Sequence, residues 1–284
     1  MRTYTEILAH HVVFHDQSSV PLRTEWLRAR LYPARPNVIP SLDDPSSFRV
    51  EIYDGTLQIS TQTLSRQLNA RLSRNSKFTK VRVSSLGPNK IQINATLHKG
   101  LSLPLQLVGN IGTTPDGRLR IQLTSWRVLK LPLKGLMKAI KLDASDLVHL
   151  PESQGMEVRG NTVYIRPEDL LPPPKKMGLV TGVYFNQAGD LVEQYGKDRS
   201  DAPVAGTWPG GRWHNYLRLE GGSIHFGKLT MTNADMILID TSPGDWYDFD
   251  LAHYREQIVK GSMFMTPDGG LRVFTPDSTK IGRP

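Results

Sequence analysis

The feature that most constrains the fold is a sustained alternation of apolar and polar residues that begins at Phe78. Period two is the repeat of a β-strand with one buried face. Turn residues at 87–89 and 115–117 separate the alternating segments. The pattern predicts an antiparallel meander with one apolar and one wet face. Its apolar positions are Val81 and Val83, then Ile91, Ile93, Ala95 and Leu97, then Leu101, Leu103, Leu105 and Leu107, then Leu119, Ile121 and Leu123.

A helix is predicted immediately before this meander, over residues 61–73. Leu64, Leu68 and Leu72 recur every four residues, and Ser60 or Thr61 is a suitable N-cap. Four-residue spacing places the three leucines on one face of the helix. This face is predicted to pack on the sheet.

The N-terminal part of the chain is harder to interpret. Residues 1–20 are ambiguous between a short helix and an extended arm, whereas residues 22–32 alternate as a half-buried strand should. Residues 47–60 are predicted to form a hairpin, because Asp54-Gly55 is a dipeptide that favours the positive φ of a tight turn.

These patterns predict an α+β fold dominated by a long curved antiparallel sheet packed on the 61–73 helix. Residues 1–47 are predicted to form an N-terminal arm and strand, and residues 48–195 the core. Residues 196–284 supply further strands and one helix near residues 251–260. Their strands are too few to close a core alone, so this segment is predicted to pack on the same body.

Composition excludes several classes of protein. With 38% hydrophobic and 22% charged residues among 284, the chain is a folded globular protein. Cysteine is absent, which excludes disulfides, thiolate catalysis and cysteine-ligated metal sites. No run reaches the roughly 18–20 apolar residues that cross a bilayer, and no apolar segment that would indicate a signal peptide follows Met1-Arg2.

Charge is distributed very unevenly. Residues 49–141 contain sixteen Lys or Arg and three acidic residues, a net charge of +13, whereas residues 142–284 have a net charge of −5. Such segregation indicates either a polyanionic partner or a solvated basic sheet face. Nucleic acid is not expected, because residues 49–141 offer only Tyr53, Phe78 and Trp126 for base stacking and contain no known recognition motif.

Motifs for catalysis are weak throughout. The chain has no phosphate loop, dinucleotide fingerprint or nucleophile elbow. His10, His11 and His15 could place two imidazoles on one face, but no companion Glu or His follows at metalloprotease spacing, so no metal and no cofactor are expected. Asp240, Asp245, Asp248 and Asp250 could perform acid–base chemistry, or they could serve turns and a helix N-terminus.

A resemblance to a known family rests on four segments. They are "LSRQLNARL" at 64–72, "INATLHKGLSLPLQLVGNIGTTPDGRLRIQ" at 93–122, "LPLKGLMKAI" at 131–140 and "GMEVRGNTVYIRPEDLLPPP" at 155–174. Their order resembles bacterial members of the TULIP (tubular lipid-binding) superfamily, closest to the LmeA-like phospholipid-binding envelope proteins. The resemblance covers roughly residues 48–195, and its motifs describe shape rather than catalysis.

This resemblance implies a curved sheet wrapped around a helix, with an apolar groove for the acyl chain of a lipid. It implies a non-enzymatic lipid-binding or carrier protein of the periplasm or another extracytoplasmic envelope compartment, although a cytoplasmic location stays open. The alternatives are a hydrolase of envelope glycans or esters that uses the Asp240–Asp250 cluster, and a structural envelope-assembly protein without ligand. The groove is predicted to be lined by Leu64, Leu68, Leu103, Leu105, Leu107, Leu133, Leu136, Met137 and Ile140.

Residues 131–142 are predicted to form an amphipathic helix. Leu133, Leu136, Met137 and Ile140 fall on one helical stripe, and three lysines fall on another. Two interpretations are open: an ordinary surface helix with its lysines in water, or a helix at the groove mouth whose lysines meet anionic headgroups. The lysines are Lys134, Lys138 and Lys141.

Vesicle sedimentation distinguishes these interpretations. If the lysines meet headgroups, changing all three to Gln should remove salt-sensitive binding to anionic vesicles, because each basic residue near such a surface contributes about 1 kcal/mol. The assay compares vesicles with and without anionic lipid, at low and high salt, since salt screens the attraction. Undiminished binding by the triple variant would identify a solvated helix face.

Overall fold

The computed structural model describes residues 2–15, 20–72, 77–99, 101–129, 155–169, 174–196, 213–242 and 244–281. The strands and helices follow in chain order: β1 Thr5–His15, β2 Pro21–Pro33, β3 Phe48–Ile59, α1 Thr61–Arg71, β4 Phe78–Ser85, β5 Lys90–Lys99, β6 Leu101–Thr113, β7 Leu119–Val128, β8 Met156–Arg159, β9 Thr162–Ile165, β10 Lys175–Met177, β11 Val180–Phe185, β12 Leu191–Tyr195, β13 Tyr216–Phe226, β14 Leu229–Asp240, β15 Tyr247–Asp250, α2 Tyr254–Lys260, β16 Ser262–Met265 and β17 Leu271–Thr275.

The described residues form mostly antiparallel β-structure with two α-helices. This confirms the predicted α+β class with an antiparallel-rich sheet. Among the strand pairs whose register is described, three are parallel, namely β10 with β3, β15 with β1, and β17 with β14.

The chain divides into two compact units. Unit 1 contains Met1–Gln58, Pro172–Leu179 and Gln194–Pro284, and unit 2 contains Ile59–Leu171 and Val180–Glu193. Unit 1 therefore combines the two ends of the chain. Unit 2 contains α1 and the strands in which the alternation is clearest.

Unit 2 is built on a sheet with the strand order β4-β5-β6-β7-β9-β8. The register confirms the face predicted from parity, because Leu105 lies opposite Ala95 on one side and Val128 on the other. Phe78, Ala95, Leu97, Leu103 and Leu105 form a buried apolar cluster. The meander predicted from sequence is thus present, with its apolar residues on one face.

Helix α1 is bonded to the outer edge of β4 by polar side chains. Ser60 caps the helix, since its hydroxyl accepts a hydrogen bond from the Thr63 N–H. Asn69 donates to the Val81 carbonyl at 2.6 Å and accepts from the Val81 N–H at 2.9 Å, and the Val83 N–H donates to Ser65 Oγ at 2.9 Å. An edge strand that would otherwise expose unpaired backbone groups is satisfied in this way.

Unit 1 is built on a sheet with the order β3-β2-β1-β13-β14-β17-β16. Its first strand, Thr5–His15, corrects the expectation of a helix or arm at the N-terminus. β1 pairs with β2 along its whole length. On its other edge it pairs with β13 through His10 and then with β15 from Val12.

The predicted hairpin at 47–60 is wrong, because residues 48–59 form the single strand β3. Gly55 has a φ of 115°, and a Cβ there would lie 2.5 Å from the Trp26 carbonyl oxygen. The β2–β3 register shifts on both sides of this point. Asp54-Gly55 therefore marks a bulge against a neighbouring strand rather than a chain reversal.

Two copies of the sequence Thr-Pro-Asp-Gly make the same turn in the two units. Gly117 N–H donates to the Thr114 carbonyl and Gly269 N–H to the Thr266 carbonyl, both at 2.9 Å. In each copy the threonine hydroxyl also donates to the aspartate two residues later. The repeat therefore reflects turn chemistry that is used twice.

Replacing Asn69 with Ala should destabilise the protein. Both of its hydrogen bonds to β4 would be lost, and the Val81 N–H and carbonyl would lack these partners, which costs about 1–3 kcal/mol for each group that stays buried. Urea denaturation of the full chain measures the change. Gln62→Ala, on the exposed side of the same helix, is the control and should change stability by less than about 0.5 kcal/mol. Equal effects of the two substitutions would contradict the role assigned to Asn69.

Asp248 should make stability depend on pH. Burial acts to raise the pKa of its carboxyl group, but hydrogen bonds from His15, Ser278 and Thr279 and the charge of His15 outweigh burial and hold that pKa below its ordinary value. His15 Nε2 lies 2.9 Å from Asp248 Oδ1, which joins the end of β1 to β15. Because the folded-state pKa is depressed, this stabilisation is complete above the unfolded pKa of about 4 and is lost as pH falls through the folded value.

The substitution Asp248→Asn should therefore cost about 1–3 kcal/mol at pH 6, and its cost should shrink below pH 4. Denaturation curves from pH 2.5 to 7 measure this difference. Glu256→Gln, an exposed carboxylate on α2, serves as the control. A cost that stays constant across this range would rule out the ionised carboxylate as its source.

Candidate functional site

The described residues of unit 1 line an apolar cavity, and β1 contributes part of its lining. Ile7 and Ala9 line it, and so do Val12 and Phe14. This set changes parity between Ala9 and Val12, where His11 adopts a φ of 50°. A local bulge of this kind lets both halves of one strand present side chains to the same cavity.

The cavity has a volume of about 100 Å³. Seventeen of its nineteen described lining residues are apolar, and they come from β1, β2, β3, β13 and β15 and from the segments that flank these strands. An apolar cavity of about 150 Å³ is large enough to bind benzene or xenon in another protein. The volume in unit 1 therefore suits a narrow apolar group.

The other two lining residues are polar. Thr24 is 3% exposed, and within the described part of the chain its hydroxyl has no hydrogen-bond partner. Lys176 on β10 also lines the cavity, and its ammonium nitrogen is shielded from solvent. Sequence reasoning missed both residues, because neither lies in a recognisable motif.

The described residues among those predicted to line a lipid groove lie in unit 2. Leu103 and Leu105 belong to its buried cluster, and Leu107 packs against that cluster. Leu64 and Leu68 are half-buried on α1. The remaining predicted positions lie outside the described residues: Leu133, Lys134, Leu136, Met137, Lys138, Ile140 and Lys141.

The acidic residues at 240–250 have separate structural partners. Asp240 accepts from the Ser242 N–H at 2.7 Å and from Asn215 Nδ2 at 3.1 Å. Asp250 accepts from the Ala252 N–H at 2.8 Å and lies 3.0 Å from His253 Nδ1. Asp248 pairs with His15, as described above. Turn and strand-end contacts of this kind account for three of the four carboxylates.

Asp240 and Asp245 also form a small acidic cluster with Asp277. Their carboxylate oxygens lie within 4.8 Å of one another. Burial, together with the charges of Asp277 and Asp245, raises the pKa of Asp240 above its ordinary value. Lys280 balances part of this charge, with its Nζ 2.7 Å from Asp277 and 3.3 Å from Asp245.

Three histidines meet at the bulge in β1. His10 and His11 are joined there by His214, and each offers a ring nitrogen within 4.8 Å of the other two. Burial and the neighbouring charges of His10 and His214 lower the pKa of His11 and outweigh the opposite effects of Glu25 and Asn215. His15, grouped with His10 and His11 in the sequence interpretation, instead pairs with Asp248. No sequence pattern pointed to His214.

No helix in the described ranges is long and apolar enough to cross a membrane. Comparison of the chain with protein-family models returned no match, and comparisons with curated proteins and with solved structures also returned none.

Proposed function

We propose that this protein binds a lipid through its acyl chain, without catalysing a reaction, and that the cavity of unit 1 receives the chain. The observation that carries the proposal is an interior cavity with an almost wholly apolar wall. An acyl chain is the ligand class that fits such a wall, because each buried CH₂ group contributes about 0.8 kcal/mol.

The geometry of the wall also favours a ligand that is narrow. The cavity of about 100 Å³ lies between closely spaced side chains of neighbouring strands. Atoms that line an unfilled space lose dispersion contacts, so a filled cavity is the more stable state. A flexible chain can thread between side chains, whereas a rigid polycyclic ligand would need the strands to separate.

Lys176 supports an anionic headgroup as part of the ligand. Its side chain lines a wall that is otherwise apolar except for Thr24. A shielded ammonium group interacts strongly with a carboxylate or phosphate, because the surrounding dielectric constant is low. The Thr24 hydroxyl adds a hydrogen-bond donor at the same wall. We therefore expect a fatty-acid-like ligand rather than a neutral hydrocarbon.

Unit 2 contributes a second argument for a lipid-related role. Its sheet presents one apolar face, on which Leu103, Leu105 and Leu107 lie together. The TULIP-like resemblance adds three features to this proposal. The sheet would wrap around a helix, the two would form an apolar groove, and an anionic membrane would be contacted by Lys134, Lys138 and Lys141. The proposed setting is the periplasm or another extracytoplasmic envelope compartment.

Blocking the cavity tests the proposal directly. Ala9 lines the cavity and is 3% exposed, so Ala9→Phe should fill the space and weaken binding of a fluorescent fatty acid at least about 10-fold. Overpacking can itself cost about 1–3 kcal/mol, so thermal unfolding is measured in parallel. Ala252→Phe adds the same volume at an exposed position outside the cavity and should leave binding unchanged.

The headgroup is tested separately with Lys176→Met. This variant should bind a fatty acid about 10-fold more weakly, which corresponds to about 1.4 kcal/mol, while its affinity for the matching fatty alcohol stays the same. Mass spectrometry of lipid extracted from the untreated protein identifies a native ligand.

Equal effects of two substitutions, turnover of a substrate, or the absence of ligand binding would each contradict the proposed function. The first is fatty-acid binding that is equal in the Ala9→Phe and Ala252→Phe variants. The second is turnover of glycan or ester substrates that Asp245→Ala abolishes, which would favour the hydrolase. The third, a protein that binds none of these probes, would favour the structural envelope-assembly role.

A further inference from the structure

The strand β1 changes its neighbour at His11. Residues Glu6–His10 pair with β13, and residues Val12–His15 pair with β15. His11 lies between the two pairings with a φ of 50°, a conformation that non-glycine residues seldom adopt. Backbone strain of this kind persists only where the surrounding structure enforces it, and it is concentrated at functional sites.

The bulge brings two consecutive imidazoles together. The ring centroids of His10 and His11 are 4.3 Å apart and the rings are stacked. The His11 ring also stacks on Trp246 at 5.3 Å, directly before β15. Consecutive side chains of a regular strand point to opposite faces, so this arrangement depends on the bulge.

His214 completes the group from a distant part of the chain. It lies two residues before β13, and its ring centroid is 4.5 Å from that of His11. None of the three histidines is among the residues that line the apolar cavity. The proposed lipid-binding function therefore leaves this cluster unexplained.

We propose that His10, His11 and His214 bind a divalent transition-metal ion, with Zn²⁺ as the representative. The distance between His11 Nδ1 and His214 Nδ1 is 3.1 Å. Two nitrogens bound tetrahedrally to one Zn²⁺, each at about 2.0–2.1 Å, are about 3.3–3.4 Å apart. The two ring nitrogens thus need to separate by only a few tenths of an ångström.

The hydrogen bonds around the cluster orient the third ring. His10 Nδ1 bonds to the His214 backbone carbonyl, which can only accept, so Nδ1 carries the proton. The lone pair of His10 is then on Nε2. Metal-binding histidines generally donate their other ring N–H to a carbonyl or carboxylate in this way.

Asn215 supports the site from the buried side. It is 3% exposed, and its Nδ2 donates to Asp240 Oδ2 at 3.1 Å and to the Asp245 carbonyl. These two acceptors fix the amide so that Oδ1 faces the cluster, 2.9 Å from His214 Nδ1. An amide oxygen only accepts hydrogen bonds, so once His214 Nδ1 loses its proton to bind the ion, Oδ1 no longer has a donor there and can act as a further ligand.

The donor set selects the class of metal. Three imidazoles favour Zn²⁺, Cu²⁺ or Ni²⁺, whereas Mg²⁺ and Ca²⁺ prefer oxygen ligands. His214 is exposed and His10 and His11 are half-buried, which gives an ion access from solvent. A bound ion would tie the segment before β13 to β1.

The test uses the full chain without an affinity tag, after treatment with a chelator. We expect one Zn²⁺ to bind per chain in competition with a chromogenic chelator, and the melting temperature to rise with Zn²⁺ concentration. The chain has no cysteine to compete for the metal. Cu²⁺ in the same protein should give an electron paramagnetic resonance spectrum with hyperfine structure from imidazole nitrogens.

Single substitutions assign the ligands. His11→Asn keeps a residue that tolerates positive φ but removes the imidazole, and His10→Gln and His214→Gln remove the other two. Each should weaken Zn²⁺ binding about 100-fold, since loss of a supporting residue alone costs about 10–100-fold. His225→Gln and His98→Gln are controls outside the cluster and should bind as the parent does.

The proposal is overturned if the parent chain binds less than one equivalent of Zn²⁺, or if His11→Asn and His214→Gln retain the parent affinity. Failure of a variant to fold is detected by circular dichroism. In that case the Cu²⁺ spectrum of the parent decides the question, and a spectrum without nitrogen hyperfine structure refutes the site. None of these results depends on whether the cavity binds lipid.

Discussion

The hydrogen bonding of β1 is the constraint on which most of unit 1 depends. One edge of β1 is paired with β2 throughout, but its other edge is shared by β13 and β15. The shared edge forces the backbone at His11 out of regular strand geometry. As a result, Ala9 and Val12 both line the cavity, and the His10 and His11 rings stack on each other. One local irregularity therefore shapes both candidate sites.

The composition of unit 1 also follows from strand pairing. Without the pairing of β1 to β13, the sheet β3-β2-β1 would leave one edge of β1 unpaired. The sheet β13-β14-β17-β16 would likewise leave one edge of β13 unpaired. Unpaired edges of this kind invite association with other chains. Pairing β1 with β13 and β15 satisfies both edges within one unit. The N-terminal and C-terminal segments are thus joined by the pairing of strand edges, which a local sequence pattern cannot predict.

The sequence predicted the elements whose signal is local. In residues 81–123 a period of two within each alternating segment identified the strands and their apolar face, and four-residue spacing with Ser60 as N-cap identified α1. The Thr-Pro-Asp-Gly sequence forms the same hydrogen-bonded turn in both units, because its turn chemistry is also local. By contrast, Asp54-Gly55 fits a turn or a bulge equally well, and only the neighbouring β2 backbone decides between them.

The sequence did not predict the candidate sites, because a bulge interrupts the two-residue period by which a strand is recognised. In β1 the inward positions are 7 and 9 and then 12 and 14, so a count at period two finds no strand there. The third histidine of the cluster is separated from His11 by 203 positions, a distance over which sequence patterns carry no information. The apolar groove was instead expected in unit 2, where alternation is regular and easily recognised. Regular alternation identifies where a sheet has a buried face. A break in alternation that is flanked by apolar residues on both sides identifies where a strand can change the direction of its side chains, and in unit 1 both candidate sites adjoin such a break.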